Sequence, residues 1–362
     1  MKKYILTRRR FIQSAAVALL AFLVPDKLLA KKRGTKLRYL KNEALPLIQE
    51  GYPGNPFREG RFLNEISKPE VSFNTILKWR FSKNPQRDEK RKDTFSLNVK
   101  KGNSFFTEKK DMLVWLGHAT WFIRLDGVTF LTDPCLEGPL FVKRLSELPC
   151  GIDEIKNIDY LLLSHSHRDH LHENSIKQLN LDNTEALVPL RMGTLLKKWR
   201  KDLIVQEAGW YQTCKTGAGK PAVTMMPAQH WSQRYTKDIN EVLWGSYILK
   251  GSKRTIYFAG DTAYAPHFSK TGSLFPVIDI ALMPIGAYKP AYIMKGSHMT
   301  PDEAVRAFHD LGAHTFVPMH YGTFDLADEP LGEPVRRLKN LDKAGKINGT
   351  LKAPGVGEII YL

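Results

Sequence analysis

The chain has 362 residues, with 54 Lys and Arg against 37 Asp and Glu, 43% hydrophobic residues and three cysteines. That composition excludes a disordered, collagenous or disulfide-stapled chain, and the length excludes a small metal finger while allowing about two domains or one large duplicated one. The net charge of +17 is unevenly spread: residues 1–110 hold 26 basic and 10 acidic side chains, leaving 28 and 27 for residues 111–362.

The first thirty residues read as a signal peptide. Lys2, Lys3, Arg8, Arg9 and Arg10 precede an apolar run from Phe11 to Val24, and the segment ends at Leu28-Leu29-Ala30. The run is shorter than the roughly 20 residues of a bilayer span. Thr7-Arg8-Arg9-Arg10-Phe11-Ile12-Gln13 resembles a twin-arginine export signal. That resemblance implies an export machinery as partner and an exported protein, periplasmic or membrane-associated. No cysteine precedes Cys135, which excludes a lipoprotein anchor.

Residues 31–110 form a basic extension that also carries Tyr52, Phe57, Phe62, Phe73, Trp79 and Phe81. Basic residues interleaved with aromatics suit an anionic membrane surface or a nucleic acid; a solvated basic extension is the plainer alternative. Lys90-Arg91-Lys92 reads as an exposed loop.

A catalytic domain is expected over 111–362. Short apolar, β-branched and aromatic runs at Leu113–Leu116, Trp121–Leu125, Val128–Leu131, Tyr160–Leu163, Val242–Leu249, Thr255–Phe258, Ile278–Pro284 and Thr315–Pro318 predict strands. Helices are predicted at Glu173–Leu179, at Met192–Trp199 and at Pro301–Leu311, where Thr300 is a candidate cap.

The predicted strand at Tyr160 runs into Ser164-His165-Ser166-His167-Arg168-Asp169-His170. Three imidazoles and a carboxylate within six residues are the donor types of zinc. Without a metal they would be a costly polar cluster at the end of a buried strand. The chain here resembles the metallo-β-lactamase superfamily, and further ligand candidates follow in order: His230 in Pro227-Ala228-Gln229-His230-Trp231, Asp261 in Ala259-Gly260-Asp261-Thr262, and His320 in Pro318-Met319-His320-Tyr321-Gly322. The resemblance implies an α+β fold, an αββα sandwich of two β-sheets packed face to face with helices outside, and two Zn²⁺, one of them replaceable by iron. It puts His165, His167 and His230 on the first metal and Asp169, His170 and His320 on the second, with Asp261 bridging. Two such ions about 3.5–4 Å apart lower the pKa of a shared water to near 7 and neutralise oxygens in a hydrolytic displacement. Asp261 favours a hydrolase or phosphodiesterase over the lactam-cleaving branch, and His167 argues against the redox branch that carries Glu there.

The flanks narrow the resemblance. Leu116-Gly117-His118-Ala119-Thr120, Gln229-His230-Trp231, Pro284-Ile285-Gly286-Ala287-Tyr288, Met299-Thr300-Pro301-Asp302-Glu303-Ala304 and Tyr321-Gly322-Thr323-Phe324 resemble the N-acylphosphatidylethanolamine-hydrolysing phospholipase D family. This implies hydrolysis of a phospholipid phosphodiester to an N-acylethanolamine and phosphatidic acid, with peripheral contact to an anionic membrane and no nucleic acid as partner. Asp169, Asp261 and His298 are then the candidate catalytic residues. His298 would reach the phosphate or protonate the leaving oxygen; a structural loop histidine is the alternative. His118 would orient a metal ligand or merely cap its turn, and Tyr288 and Tyr321 would line the headgroup site or pack. His172, His267, His309 and His314 are expected to be structural, and the cysteines to pack, a Cys135–Cys150 bridge being a minor possibility. No His-x-Lys pattern and no Gly-x-Ser-x-Gly elbow occurs, which disfavours phosphohistidine and serine-lipase chemistry. The competing function is a soluble lactonase or sugar-phosphate hydrolase on the same fold, and a non-enzymatic binder is disfavoured because all seven ligand candidates are present.

Overall fold

Every residue of Met112–Gly117 is buried, yet alternate side chains enter different cores: Leu113 and Trp115 one, Met112, Val114 and Leu116 the other. A strand sends successive side chains to opposite faces, so this strand must be covered on both. The computed structural model describes residues 36–65, 71–139 and 141–362 and meets that requirement with two stacked sheets flanked by helices. The export signal expected over 1–30 lies outside the described residues.

The first sheet contains β4 (Met112–Gly117), β5 (Thr120–Leu125), β6 (Val128–Thr132), β7 (Tyr160–Leu162), β8 (Glu185–Pro189) and β9 (Ile204–Ala208). The second contains β10 (Gln212–Cys214), β11 (Ala222–Met226), β12 (Ser246–Lys250), β13 (Thr255–Phe258), β14 (Ile278–Pro284), β15 (Ala313–Met319) and β16 (Thr350–Leu351), while β17 (Ile359–Tyr361) returns to pair with β4. Before these comes a small antiparallel sheet of β1 (Arg38–Leu40), β2 (Asn55–Arg58) and β3 (Arg61–Phe62). The large sheets repeat one plan. Pairing is antiparallel from β17 to β6 and from β10 to β13, then parallel from β6 to β9 and from β13 to β16. The carboxyl ends of the parallel strands are where open α/β sheets bind ligands.

The helices are α1 (Phe73–Phe81), α2 (Arg87–Lys92), α3 (Glu173–Gln178), α4 (Gly193–Trp199), α5 (His267–Leu274), α6 (Ala291–Met294), α7 (Pro301–Leu311) and α8 (Glu333–Lys343). Ile176, Leu195 and Leu196 of α3 and α4 fill the outer face of the first sheet. α7 covers the second sheet with Ala304, Val305, Ala307, Phe308 and Leu311. Its start is the expected one: Thr300 accepts from the Glu303 amide at 3.2 Å, and Glu303 accepts from the Thr300 amide at 2.9 Å. The result is the expected αββα sandwich. Among the described residues no helix is long and apolar enough to cross a membrane.

The N-terminal segment departs from the sequence-based picture. Tyr52, Phe57 and Phe62 are buried in the main core and offer no aromatic surface to a bilayer. The segment is stitched to β9 and β10: the Asn42 side chain donates to the Glu207 carbonyl at 2.8 Å, and Gln212 Nε2 donates to the Asn42 carbonyl at 2.7 Å. Lys90-Arg91-Lys92 is the last turn of α2 and not a loop. Asp88 and Glu89 in the first turn and three cations in the last complement the helix dipole, a pattern that outweighs the lack of any apolar face. Lys90 pairs with Asp325 and donates to the Ala327 carbonyl, and Asp93 pairs with Arg336 at 3.0 Å. α2 is thereby clamped to the loop that follows β15.

The strand predicted from Val242 begins only at Ser246. Leu243 and Trp244 are apolar because they are buried, and Trp244 spends its indole N–H on the Ala228 carbonyl. All three cysteines are free, with Cys135 and Cys214 buried.

Candidate metal centre

Both sheets deliver side chains to one edge. Asp133 follows β6, residues 164–170 follow β7, Asp261 follows β13 and His320 follows β15, all leaving the carboxyl ends of parallel strands. His118 occupies the β4–β5 turn, His230 follows β11, and His298 precedes α7. Cross-sheet bonds fix the edges together: the Gly245 amide donates to the Ser164 carbonyl at 3.0 Å, and Tyr247 Oη donates to the Leu163 carbonyl at 2.9 Å. Gly260 turns the chain into Asp261 with φ +59°, and a Cβ there would lie 2.6 Å from that of Ser164. Only glycine serves at that turn.

The ligand candidates fall into two groups. His165 Nε2 and His230 Nε2 lie 2.9 and 3.2 Å from His167 Nδ1. In the second group Asp169 Oδ2 is 3.6 Å from His170 Nε2 and 3.8 Å from His320 Nε2. Asp261 reaches both. Its Oδ2 is 3.9 Å from His230 Nε2 and 3.2 Å from His170 Nε2, and its Oδ1 is 3.1 Å from His320 Nε2. All seven ligand candidates from the sequence therefore converge at one edge.

The hydrogen bonds around the cluster decide which ring nitrogen is available. His230 Nδ1 lies 2.9 Å from the Ser297 carbonyl, which can only accept, so Nδ1 carries the proton and Nε2 presents a lone pair. His170 Nδ1 donates in the same way to Asp133 Oδ2 at 2.8 Å. Ser164 Oγ gives its one proton to Asp133, so it accepts from His165 Nδ1 at 2.9 Å, and His165 also turns Nε2 inward. Asp133 thus orients one histidine of each group. It was not among the sequence candidates; its signal is the Thr132-Asp133-Pro134 step at the end of a buried strand, a carboxylate where the chain had no reason to bury one. A partner that fixes tautomer and direction is characteristic of metal-binding histidines.

The electrostatics separate the groups. Burial lowers His165 well below its ordinary range, reinforced by its imidazole neighbours, and burial brings His167 to about 4. Burial would also lower His170 and His320, but the facing Asp261 and Asp169 carboxylates overcome it, raising His170 well above its ordinary value and His320 to about 9. Burial would raise Asp169 and Asp261; the imidazoles instead hold both well below the usual carboxylate range.

These residues fit a pair of transition-metal ions. Ring nitrogens about 3 Å apart need a proton or a cation between them, and among the described residues the buried Nε2 atoms of His170 and His320 and Oδ1 of Asp261, though 3.1–3.2 Å from a facing atom, have no partner in hydrogen-bond geometry. Imidazole and carboxylate donors suit zinc or iron rather than magnesium or calcium.

The other candidates divide. His118 Nε2 is 3.0 Å from Asp169 Oδ2, and its carbonyl accepts from the His320 amide at 3.0 Å, so it steadies both a ligand and the turn that bears another. His298 Nδ1 is 3.8 Å from Asp261 Oδ2 with the side chain 15% exposed, which puts it at the mouth beside Asp169, 19% exposed. Tyr288 and Tyr321 are buried: Tyr288 Oη donates to Glu333 at 2.6 Å, and the Tyr321 ring stacks on Trp115 at 5.1 Å. Both have the contacts of packing residues. His172 caps α3, His267 contacts Thr262, and His309 accepts from the Asn348 amide.

Residues 129–321 match the β-lactamase superfamily domain. The chain is 30% identical over 333 residues to N-acyl-phosphatidylethanolamine-hydrolyzing phospholipase D 1 of Caenorhabditis elegans, covering 83% of this chain and 92% of the relative. The chain belongs to the metallo-β-lactamase superfamily and, within it, to the family of that phospholipase. It is a metal-dependent hydrolase of this fold. It is also 31% identical over 255 residues to the mitochondrial N-acyl-phosphatidylethanolamine-hydrolyzing phospholipase D of Saccharomyces cerevisiae, across 67% of this chain and 54% of that protein. Among solved structures, a metallo hydrolase from Ignicoccus hospitalis superposes with a TM-score of 0.53 at 22% identity, covering 70% of this chain and 98% of its own.

Proposed function

We propose that the protein is a di-zinc phosphodiesterase of the phospholipase D type, cleaving N-acylphosphatidylethanolamine-like phospholipids to an N-acylethanolamine and phosphatidic acid. The observation that carries this reading is Asp261, a single carboxylate within reach of both histidine groups. Similarity to the worm and yeast phospholipases supplies the substrate class.

His165, His167 and His230 would hold one ion, Asp169, His170 and His320 the other, with Asp261 shared. When bound, such a pair activates water and neutralises charge on phosphate oxygens. The protein's own part is orientation. Asp133 and Ser164 keep the ring nitrogens of His165 and His170 directed inward, the Ser297 carbonyl does so for His230, and His118 steadies Asp169. His298 has its Nδ1 toward Asp261 at the mouth, a position from which the ring can hydrogen-bond a phosphate oxygen or the leaving oxygen.

The basic character of the chain and its Arg8-Arg9 signal support an exported, membrane-facing enzyme. Burial of Tyr52, Phe57 and Phe62 favours the second reading, a soluble lactonase or sugar-phosphate hydrolase, because it removes half of the aromatics expected at a bilayer. Incubating the zinc-loaded protein with a phospholipid panel, a sugar-phosphate lactone and single-stranded RNA separates the readings. Release of N-acylethanolamine is expected; turnover of the lactone alone would overturn the lipid assignment.

A further inference from the structure

Beside the metal edge lies an open groove of about 790 Å³ between the loop after β6, the turn that carries Arg168, and the loop after His230. Its charged lining is Lys143, Arg144, Arg168 and Arg234 against Glu137 and Glu173. Glu173 is ion-paired, whereas Glu137 is held by a neutral amide and keeps its charge. Glu173 takes Lys177 at 2.6 Å and lies 3.8 Å from Arg234, and Glu137 accepts from Gln178 at 3.1 Å. Among the described residues Lys143, Arg144 and Arg168 have no carboxylate within 4.0 Å.

These cations are held in place. Arg144 donates to the carbonyls of Leu116, Cys135 and Ser146, so its charge is fixed without being neutralised. Arg234 is 5% exposed, donates to the Leu171 carbonyl, stacks on Trp199 at 4.4 Å and keeps a buried Nε with no partner. Arg168 lies 5.6 Å above the Tyr235 ring, close enough to Arg234 that, after burial, its charge is the next influence lowering that guanidinium. Like charges at one wall, where among the described residues only Arg234 has a carboxylate within 4.0 Å, are unfavourable unless an anion joins them. The motif turn accounts for the location: His167 and Asp169 face the metal side, while Arg168 between them lines the groove. Around it stand Phe141, 56% exposed, and Tyr235, 45% exposed, large apolar rings in water on loops that frame the site.

We propose that this groove is a second headgroup site, which takes the phosphate of an anionic phospholipid while Phe141 and Tyr235 enter the bilayer interface beside the metal edge. Point charges at a groove wall with apolar rings on the adjoining loops match a lipid with one phosphomonoester better than an extended polyanion, whose charges would need a track of cations. The inference extends the phospholipid reading, and binding without turnover tests it separately.

The test is flotation of the zinc-loaded full chain with phosphatidylcholine vesicles, with and without phosphatidic acid. Wild type is expected to bind the acidic vesicles at least about tenfold more tightly. Lys143→Gln with Arg168→Gln should remove most of that preference, and Phe141→Ser with Tyr235→Ser should weaken it, with metal content and melting temperature unchanged. Neutralising Lys83, Arg87, Arg91 and Lys92 should change it by less than about twofold. Unchanged binding by the Lys143/Arg168 variant, or loss of binding in the Lys83-to-Lys92 variant instead, overturns the site. Inorganic phosphate that competes fully, together with no effect of the Phe141/Tyr235 variant, marks a free-phosphate site and overturns the lipid assignment. If the acidic vesicles bind as expected but N-acylphosphatidylethanolamine in detergent micelles is not hydrolysed, the phospholipase reading falls and the headgroup site stands.

Discussion

Among the described residues His165, His167 and His230 meet with one carboxylate contact inside 4.0 Å, His230 to Asp261 at 3.9 Å, whereas His170 and His320 lie 3.2 and 3.1 Å from Asp261 and 3.6 and 3.8 Å from Asp169. In the first group burial strips protons from His165 and His167; in the second the carboxylates hold protons on His170 and His320. One edge of one sandwich therefore offers a site where His165 and His167 are neutral imidazoles next to a site of ion pairs. A cation meets His165 and His167 without displacing a proton from them and enters the second site only by expelling protons. The two sites should fill in that order at neutral pH.

The severest test of the comparison is Asp261, the described carboxylate that touches both groups. Asp261→Asn should keep the fold, read by circular dichroism, and lower turnover by about 10²–10³-fold or more. Chelation of the wild type should abolish hydrolysis. If the Asp261→Asn variant kept wild-type turnover and metal content, the two groups would not act as one centre.

Metal uptake against pH sharpens it. Ligand nitrogens must be deprotonated, and His320 is raised to about 9 while His167 is lowered to about 4. Calorimetry with zinc should show the second equivalent binding about tenfold more weakly for each pH unit below 9 per proton displaced, with measurable proton release, while the first stays nearly flat down to about pH 6. In the metal-free protein the dependence on pH runs the other way. The ion-paired His320 contributes stability that is complete below the ordinary histidine value of about 6.5 and is lost as pH rises through about 9, and His170, raised well above its ordinary value, contributes with the same sign. Equal pH slopes for the two equivalents would contradict the assignment.

The converging histidines and aspartates were legible in the sequence because each is a polar residue of metal-binding type at the end of an apolar run, and the run fixes where the strand stops. The layered architecture was legible through the same runs. What was hidden is whatever depends on partners far along the chain. Asp133 gains meaning only when Ser164 and His170 come beside it, 31 and 37 residues away. β8 was not predicted because a parallel strand buried on both faces loses the alternation that marks an exposed one, and β9 was not because it is a half-exposed edge strand that carries Gln206 and Glu207. The aromatics of residues 52–62 looked superficial because their cover, β10 and the loops near it, lies about 150 residues on. α2 was missed because its helical signal is charge order and not apolar periodicity.

Asp133 should have an intermediate effect, and one shared by both groups. Asp133→Asn removes the charge and one of the two acceptor oxygens that hold His170 and, through Ser164, His165, so affinity for each zinc equivalent should fall about 10–100-fold. Competition with a chromophoric chelator measures both. A loss confined to one equivalent would show that the serine relay to His165 is idle.

The smallest effect expected is at Lys90, where α2 is clamped to the loop after His320. Lys90→Met keeps the length of the side chain but removes the pair with Asp325 and the bond to the Ala327 carbonyl. Asp325 is about half exposed, so the ion pair contributes at most about 1 kcal/mol, and the bond to the carbonyl about another 1. For a chain of this size that corresponds to a melting temperature lower by roughly 2–4 °C. His320 itself is held elsewhere, by its amide on the His118 carbonyl and by the β14–β15 ladder behind it. Zinc affinity of the second group should therefore change by less than about threefold. If Lys90→Met instead weakens the second equivalent as much as Asp133→Asn does, while leaving the first untouched, the carboxylate-rich half depends on the N-terminal helix for its geometry, and the two groups differ in their mechanical support as well as in their charge.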